Sequence, residues 1–137
     1  MSSIPFSIVD VFAEVKYAGN ELAVVRRAGS LAAEEMQKIA REMNFSETTF
    51  VLRDEPSGGG FDVRIFTPQS EMPFAGHPTL GTAFVIRQEI LRQPAAEVVL
   101  NLKVGQIPVT FGAAGGQPDV LWMRQIPPVF GPTITAL

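Results

Sequence analysis

Two side chains in this 137-residue sequence pair a titratable group with a setting that suits proton transfer. His77, the only histidine, stands between Gly76 and Pro78. The small and apolar run that follows predicts a helix from Pro78 to Leu91 with proline at its first position, where a missing N–H costs nothing. The other first-turn N–H groups would point outward unpaired and form a small anion site beside the imidazole, fit for a substrate carboxylate or a developing oxyanion. Glu47 lies in Asn44-Phe45-Ser46-Glu47-Thr48-Thr49-Phe50. By itself it reads either as a solvated carboxylate at a strand start or, between Phe45, Phe50 and Val51, as a partly desolvated general acid or base.

Other chemistries lose support. With no cysteine, thiol nucleophiles, zinc–thiolate sites and disulfide frameworks are absent from the sequence. One histidine and scattered carboxylates offer no convergent metal site, so no metal is expected. No Gly-x-Gly-x-x-Gly follows a strand, and neither a phosphate-loop lysine motif nor a Gly-x-Ser-x-Gly elbow occurs, so no cofactor is expected. A formal charge of −3 gives no electrostatic footprint for nucleic acid. No apolar run approaches the ~18 residues of a membrane span and the first residues lack a basic leader, so a cytoplasmic protein without membrane contact is expected.

The elements that must hold Glu47 and His77 follow from periodicity and punctuation. The length fits one domain, and 12 glycines and 11 prolines suit short strands joined by tight turns. Ile4–Phe12 alternates as a strand buried on both faces over part of its length, and Leu22–Val25 is its hairpin partner after the turn at 16–20. Met36, Ile39, Ala40 and Met43 form one apolar stripe, which predicts an amphipathic surface helix with Ser30 as N-cap. Thr48–Leu52 and Phe61–Phe66 read as a hairpin around Pro56–Gly60. The triple glycine there precedes no helix, which speaks against a phosphate cradle. Thr67–His77 reads as polar connection. The helix after it is apolar or small nearly all round in its first half, as expected of a helix enclosed by sheet, with Gly81 admitting the close approach of another backbone. Strands return at 98–102, 107–111 and 120–124, with 112–118 as one separator, for about seven strands and two helices. The sequence thus divides into a domain over 1–127 and a linker or frayed end over 128–137.

Asp10-Val11-Phe12, Gly19-Asn20-Glu21-Leu22-Ala23-Val24-Val25, Asn44 through Phe50, and Phe66-Thr67-Pro68 through Glu71-Met72-Pro73-Phe74-Ala75-Gly76-His77-Pro78-Thr79-Leu80-Gly81-Thr82-Ala83 resemble, in order and spacing, the PhzF-like phenazine-biosynthesis family. The resemblance runs from about Ile4 to Arg124 and matches the family's N-terminal half. It implies an α+β, diaminopimelate-epimerase-like fold of mostly antiparallel strands wrapped around a central helix, with the active site in a cleft between two such halves. It implies that Glu47 is the acid/base and that His77 shares the catalytic site, holding the ligand, while Gly76, Pro78 and Thr79 in the first helical turn line the substrate site together with Asn20 and Ser46. Related racemases carry a catalytic cysteine where this sequence has Ala75, which excludes two-thiol racemisation. The implied activity is a cofactor-independent isomerisation of a small cyclic or amino-acid-like carboxylate. The family's second half supplies a further Asp, so a homodimer partner or a missing C-terminal domain is expected to complete the site. A non-catalytic half-domain that binds a ligand or a protein is the other reading.

Overall fold

The computed structural model describes residues 3–112 and 120–135. Most of the separator expected over 112–118, and the last two residues of the expected linker, lie outside them.

Strands β1 (Phe6–Val11) and β2 (Asn20–Val25) form the expected antiparallel hairpin, with Val11 opposite Asn20. A short 3₁₀ turn (Ala28–Ser30) and helix α1 (Ala33–Met43) then carry the chain across to β3 (Thr48–Val51), which lies parallel to β2 with Thr48 beside Ala23. A parallel neighbour needs such a crossover, since a tight turn can only reverse the strand. β4 (Phe61–Phe66) pairs antiparallel with β3 through its last residues and parallel with β6 (Glu97–Leu102) through its first two. A two-residue strand β5 (Glu71–Met72) also pairs with β4, inside the segment expected to be plain connection. β7 (Gly105–Phe111) and β8 (Leu121–Met123) complete the sheet in the order β1-β2-β3-β4-β6-β7-β8.

Helix α2 (Gly76–Val85) touches β1 and β2 near one edge of this sheet and β8 at the other, so the sheet curls around it. This is the expected α+β arrangement of mostly antiparallel strands around a central helix. The main core lies between them and includes Leu22, Val24, Ile65, Val85, Ile86, Leu100 and Ile107, each at most 1% exposed. α1 covers a second, smaller cluster on the outer face, built from Val25, Met36, Ala40, Phe50 and Phe66. Among the described residues no helix is long and apolar enough to cross a membrane.

Several local expectations give way to tertiary structure. Helix α1 starts two residues after Ser30, at the N-cap Ala32, whose N–H is satisfied by the Glu35 carboxylate at 2.9 Å. Ser30 instead ends the 3₁₀ turn, which is fastened by Gly29 N–H to the Leu52 carbonyl. Pro78 is the third helical residue of α2, not the first, because the helix begins at Gly76. The α-helix also stops at Val85 and continues to Leu91 as a wider π turn. β1 is an edge strand covered on one face only: Val9 and Val11 pack toward α2, whereas Phe6 and Ile8 on the opposite face are about half exposed, so the strand is not buried on both faces. At Gly81 the close neighbours are side chains rather than backbone: a Cβ there would lie 2.6 Å from Leu22 Cδ2 and 2.8 Å from Val11 Cγ2. After β8, residues 124–135 carry no helix or strand, and Val129, Phe130 and Ile134 are exposed.

Candidate functional site

The parallel pairing of β2 and β3 places the N-terminal ends of both strands on one rim of the sheet. That rim carries Asn20 at the start of β2 and Glu47 just before β3. α2 points its first turn at the same rim, and its depth is fixed by a buried hydrogen bond of 2.7 Å between the Thr49 and Thr82 hydroxyls. Three segments that are distant in sequence therefore meet.

Their meeting point is the His77 ring. Nδ1 lies 2.9 Å from Glu47 Oε2, and Nε2 lies 3.1 Å from the Asn20 carbonyl oxygen. Both side chains are largely shielded, at 10% exposure for His77 and 19% for Glu47. A carbonyl oxygen can only accept, so Nε2 carries a hydrogen. Nδ1 then meets the carboxylate in one of two ways: it accepts the O–H of a neutral Glu47, or it donates to an ionised one as imidazolium. The contact occupies one carboxyl oxygen and leaves Oε1 for another proton acceptor or donor. The His77 ring is thus committed to protein partners at both nitrogens. Glu47 is the side chain that the ring meets.

The other expected site residues divide. Gly76 opens α2, and its N–H and that of His77 lack intrahelical partners, while Pro78 contributes none. Ser46 is exposed next to Glu47. Pro78 and Thr79 are buried, and the Thr79 hydroxyl donates to the Ala75 carbonyl at 2.7 Å, so both serve the first turn of the helix and do not reach its open side. Two residues that sequence reasoning passed over also reach the cluster. The Phe12 ring lies 6.2 Å from the His77 ring, centroid to centroid, and Met123 of β8 packs against Gly76. Phe12 stands within the quoted Asp10-Val11-Phe12 motif, but nothing local signals its position; Met123 has no sequence signal at all.

Among the described residues no three imidazole, thiol or carboxyl groups converge to hold a metal. Surface depressions lie along the β7–β8 edge, bounded by Glu97, Thr110, Trp122 and Arg124, and beside Arg27, Ser30 and Arg53; neither contains Glu47 or His77. Phe12, Val15 and Tyr17, in the loop that leads to Asn20, are exposed.

A sequence profile described as "Phenazine biosynthesis-like protein" matches residues 9–135. The trans-2,3-dihydro-3-hydroxyanthranilate isomerase of Pseudomonas aeruginosa is 39% identical over 120 residues, covering 88% of this chain and 42% of that protein. An uncharacterized isomerase of Pasteurella multocida is 49% identical over 85 residues, 62% of this chain and 29% of its own length. Among solved structures, the PhzF-family phenazine biosynthesis protein of Bacillus anthracis superposes with a TM-score of 0.74 at 33% identity, over 85% of this chain and 38% of that one. A probable proline racemase of Agrobacterium radiobacter gives 0.56 at 15% identity, over 88% of this chain and 41% of that one, a likeness of fold alone. The chain spans less than half the length of these relatives.

Proposed function

The chain belongs to the phenazine biosynthesis-like protein family, and from that membership and the geometry of its rim we propose that it forms one lobe of a cofactor-independent, cytoplasmic isomerase with Glu47 as its acid/base. The substrate class is a small cyclic or amino-acid-like carboxylate. The observation that carries this reading is the 2.9 Å contact between Glu47 Oε2 and His77 Nδ1, on a ring whose Nε2 lies 3.1 Å from the Asn20 carbonyl, with the second carboxyl oxygen left over. As carboxylate, Glu47 removes a proton from a carbon next to a conjugated system. The C–H electron pair enters that system, and Glu47, once its proton has exchanged with solvent, delivers a proton to a different carbon, so the double bond moves and nothing is oxidised. His77 acts as a positioning residue: it fixes one carboxyl oxygen of Glu47, which keeps the other aimed at the ligand. The Gly76 and His77 N–H groups receive the ligand's carboxylate or the developing oxyanion. A second lobe, from further chain or from a partner copy in a homodimer, covers the rim and excludes water. Relatives more than twice as long support this part.

The test is deuterium wash-in from D2O into trans-2,3-dihydro-3-hydroxyanthranilate, the compound in the printed name of the Pseudomonas relatives. The full chain is expected to exchange it, Glu47→Gln to lower the rate by about 10²–10⁴-fold, and His77→Gln to lower it less. Equal rates for the native chain and Glu47→Gln would remove Glu47 from the acid/base role on this substrate. The rim, with the exposed Phe12, Val15 and Tyr17 next to it, favours one second reading, a non-catalytic module that binds a ligand or protein there. That reading expects a tight complex without exchange, visible by light scattering or calorimetry.

A further inference from the structure

Phe12 combines three properties that seldom occur together. It is a bulky residue in the left-handed region, with φ of 60°, where such side chains are true outliers. The residue is 70% exposed. Its ring lies 6.2 Å from the His77 ring, centroid to centroid, at an interplanar angle of 40°. The strain is not accidental to a loose loop, because the register sets Val11 opposite Asn20, the residue whose carbonyl holds His77. The loop also closes tightly on Gly19, where a Cβ would lie 2.7 Å from the Val11 carbonyl oxygen. The hairpin that places the Asn20 carbonyl therefore places Phe12 too. A glycine would adopt the same backbone freely and expose no apolar surface. Strain of this kind persists where the surroundings over-determine it, and the place is beside a candidate site.

Resting on the reading of Glu47 and His77 given above, we propose that Phe12 is a specificity-determining residue whose ring forms the apolar wall of the ligand site and selects carboxylates carried on a flat, unsaturated ring. The rim then offers backbone N–H groups to the carboxylate at one end and an aromatic face to the ring. A π face discriminates by shape: a planar ring stacks in offset or tilted contact, whereas a puckered saturated ring of equal charge does not.

Benzoate and cyclohexanecarboxylate, alike in charge but only one of them flat, separate the possibilities in NMR titrations of the full chain. Both are expected to shift the Gly76 and His77 amide signals, with benzoate binding about 3–10-fold more tightly. Phe12→Gly, which also relieves the strained φ, is expected to abolish that preference, leave cyclohexanecarboxylate affinity within twofold, and unfold at the same or a higher temperature. Phe12→Tyr is expected to keep the preference. A preference that survives in Phe12→Gly overturns the proposal while leaving the Glu47–His77 reading intact. Equal weakening of both ligands also overturns it, since Phe12 would then only support the fold, as does a change in self-association without a change in preference. If neither carboxylate shifts the Gly76 or His77 signals in the native chain, the site reading and the proposal fail together.

Discussion

Two of the connections that adopt left-handed backbone in this fold do so with opposite residue types. The turn between β3 and β4 uses Gly58 and Gly59, at φ of 60° and 87°, whereas the loop between β1 and β2 uses Phe12 and Tyr17, at 60° and 65°. The glycine turn is also clamped. The Asn101 amide donates to the Ser57 carbonyl at 2.7 Å and to Asp62 at 2.9 Å, and the Gln106 amide donates to the Gly58 carbonyl at 2.7 Å and to Asn101 at 3.0 Å. Its carbonyls point at donors, which is the reverse of an anion cradle and gives the triple glycine a structural meaning. Among the described residues no side-chain hydrogen bond closes the 12–19 loop. The contrast separates a connection optimised for stability from one that accepts strain where it adjoins the Glu47–His77 pair.

The contrast is most sharply broken at Gly60. A Cβ there would lie 2.5 Å from Asn101 Oδ1 and 3.0 Å from the Val99 carbonyl, so Gly60→Ala must dislodge the clamp and is expected to cost about 2–3 kcal/mol in denaturant unfolding. A loss below about 0.5 kcal/mol would mean that the clamp contributes little.

Gly58 and Phe12 form a matched pair of smaller effects. A Cβ on Gly58 meets nothing within 4 Å. Gly58→Ala is therefore expected to cost only the left-handed penalty, about 1 kcal/mol, and Phe12→Gly to recover no more than about that amount. Thermal unfolding of the two variants checks the signs, and destabilisation of both would refute the idea that Phe12 stores strain.

The smallest expected effect is a pH dependence. The Asn101 amide, followed by Arg53, holds the Asp62 carboxyl below its ordinary range against the opposing cost of burial. The Arg64 guanidinium, with Lys103, does the same for Glu71. Both carboxyls are depressed in the folded chain, so their stabilisation is complete above the unfolded values near 4 and is lost as pH falls from there through the lower folded values. Asn101→Ala is expected to flatten this acid limb, because the main cause of the Asp62 shift is gone. An unchanged slope of stability between about pH 4 and 2 would contradict it.

The sequence made the local pieces legible. Alternation marked β1, β2, β4, β6 and β7, and the lack of a polar face on Thr79–Ile86 marked α2 as enclosed. Boundaries shifted: the Glu35 carboxylate satisfies the N–H of Ala32, so α1 begins without Ser30, and α2 begins at Gly76. β5 stayed hidden because two residues carry no period. At the site, Glu47 and His77 were readable from residue type and neighbours. Their mutual contact was not, since 30 residues separate them.

What the sequence determined by itself, then, was the set of reactive groups and the elements next to them, because spacing and burial pattern are properties of short stretches. Only the tertiary structure decided that β2 and β3 run parallel, that the Asn20 carbonyl meets Nε2 of His77 while Nδ1 meets Glu47, and that Phe12 stands strained beside them. The physical reason is that a backbone carbonyl is chemically the same in every residue. Which one meets the imidazole depends on strand direction and register, and pairing between distant segments sets both.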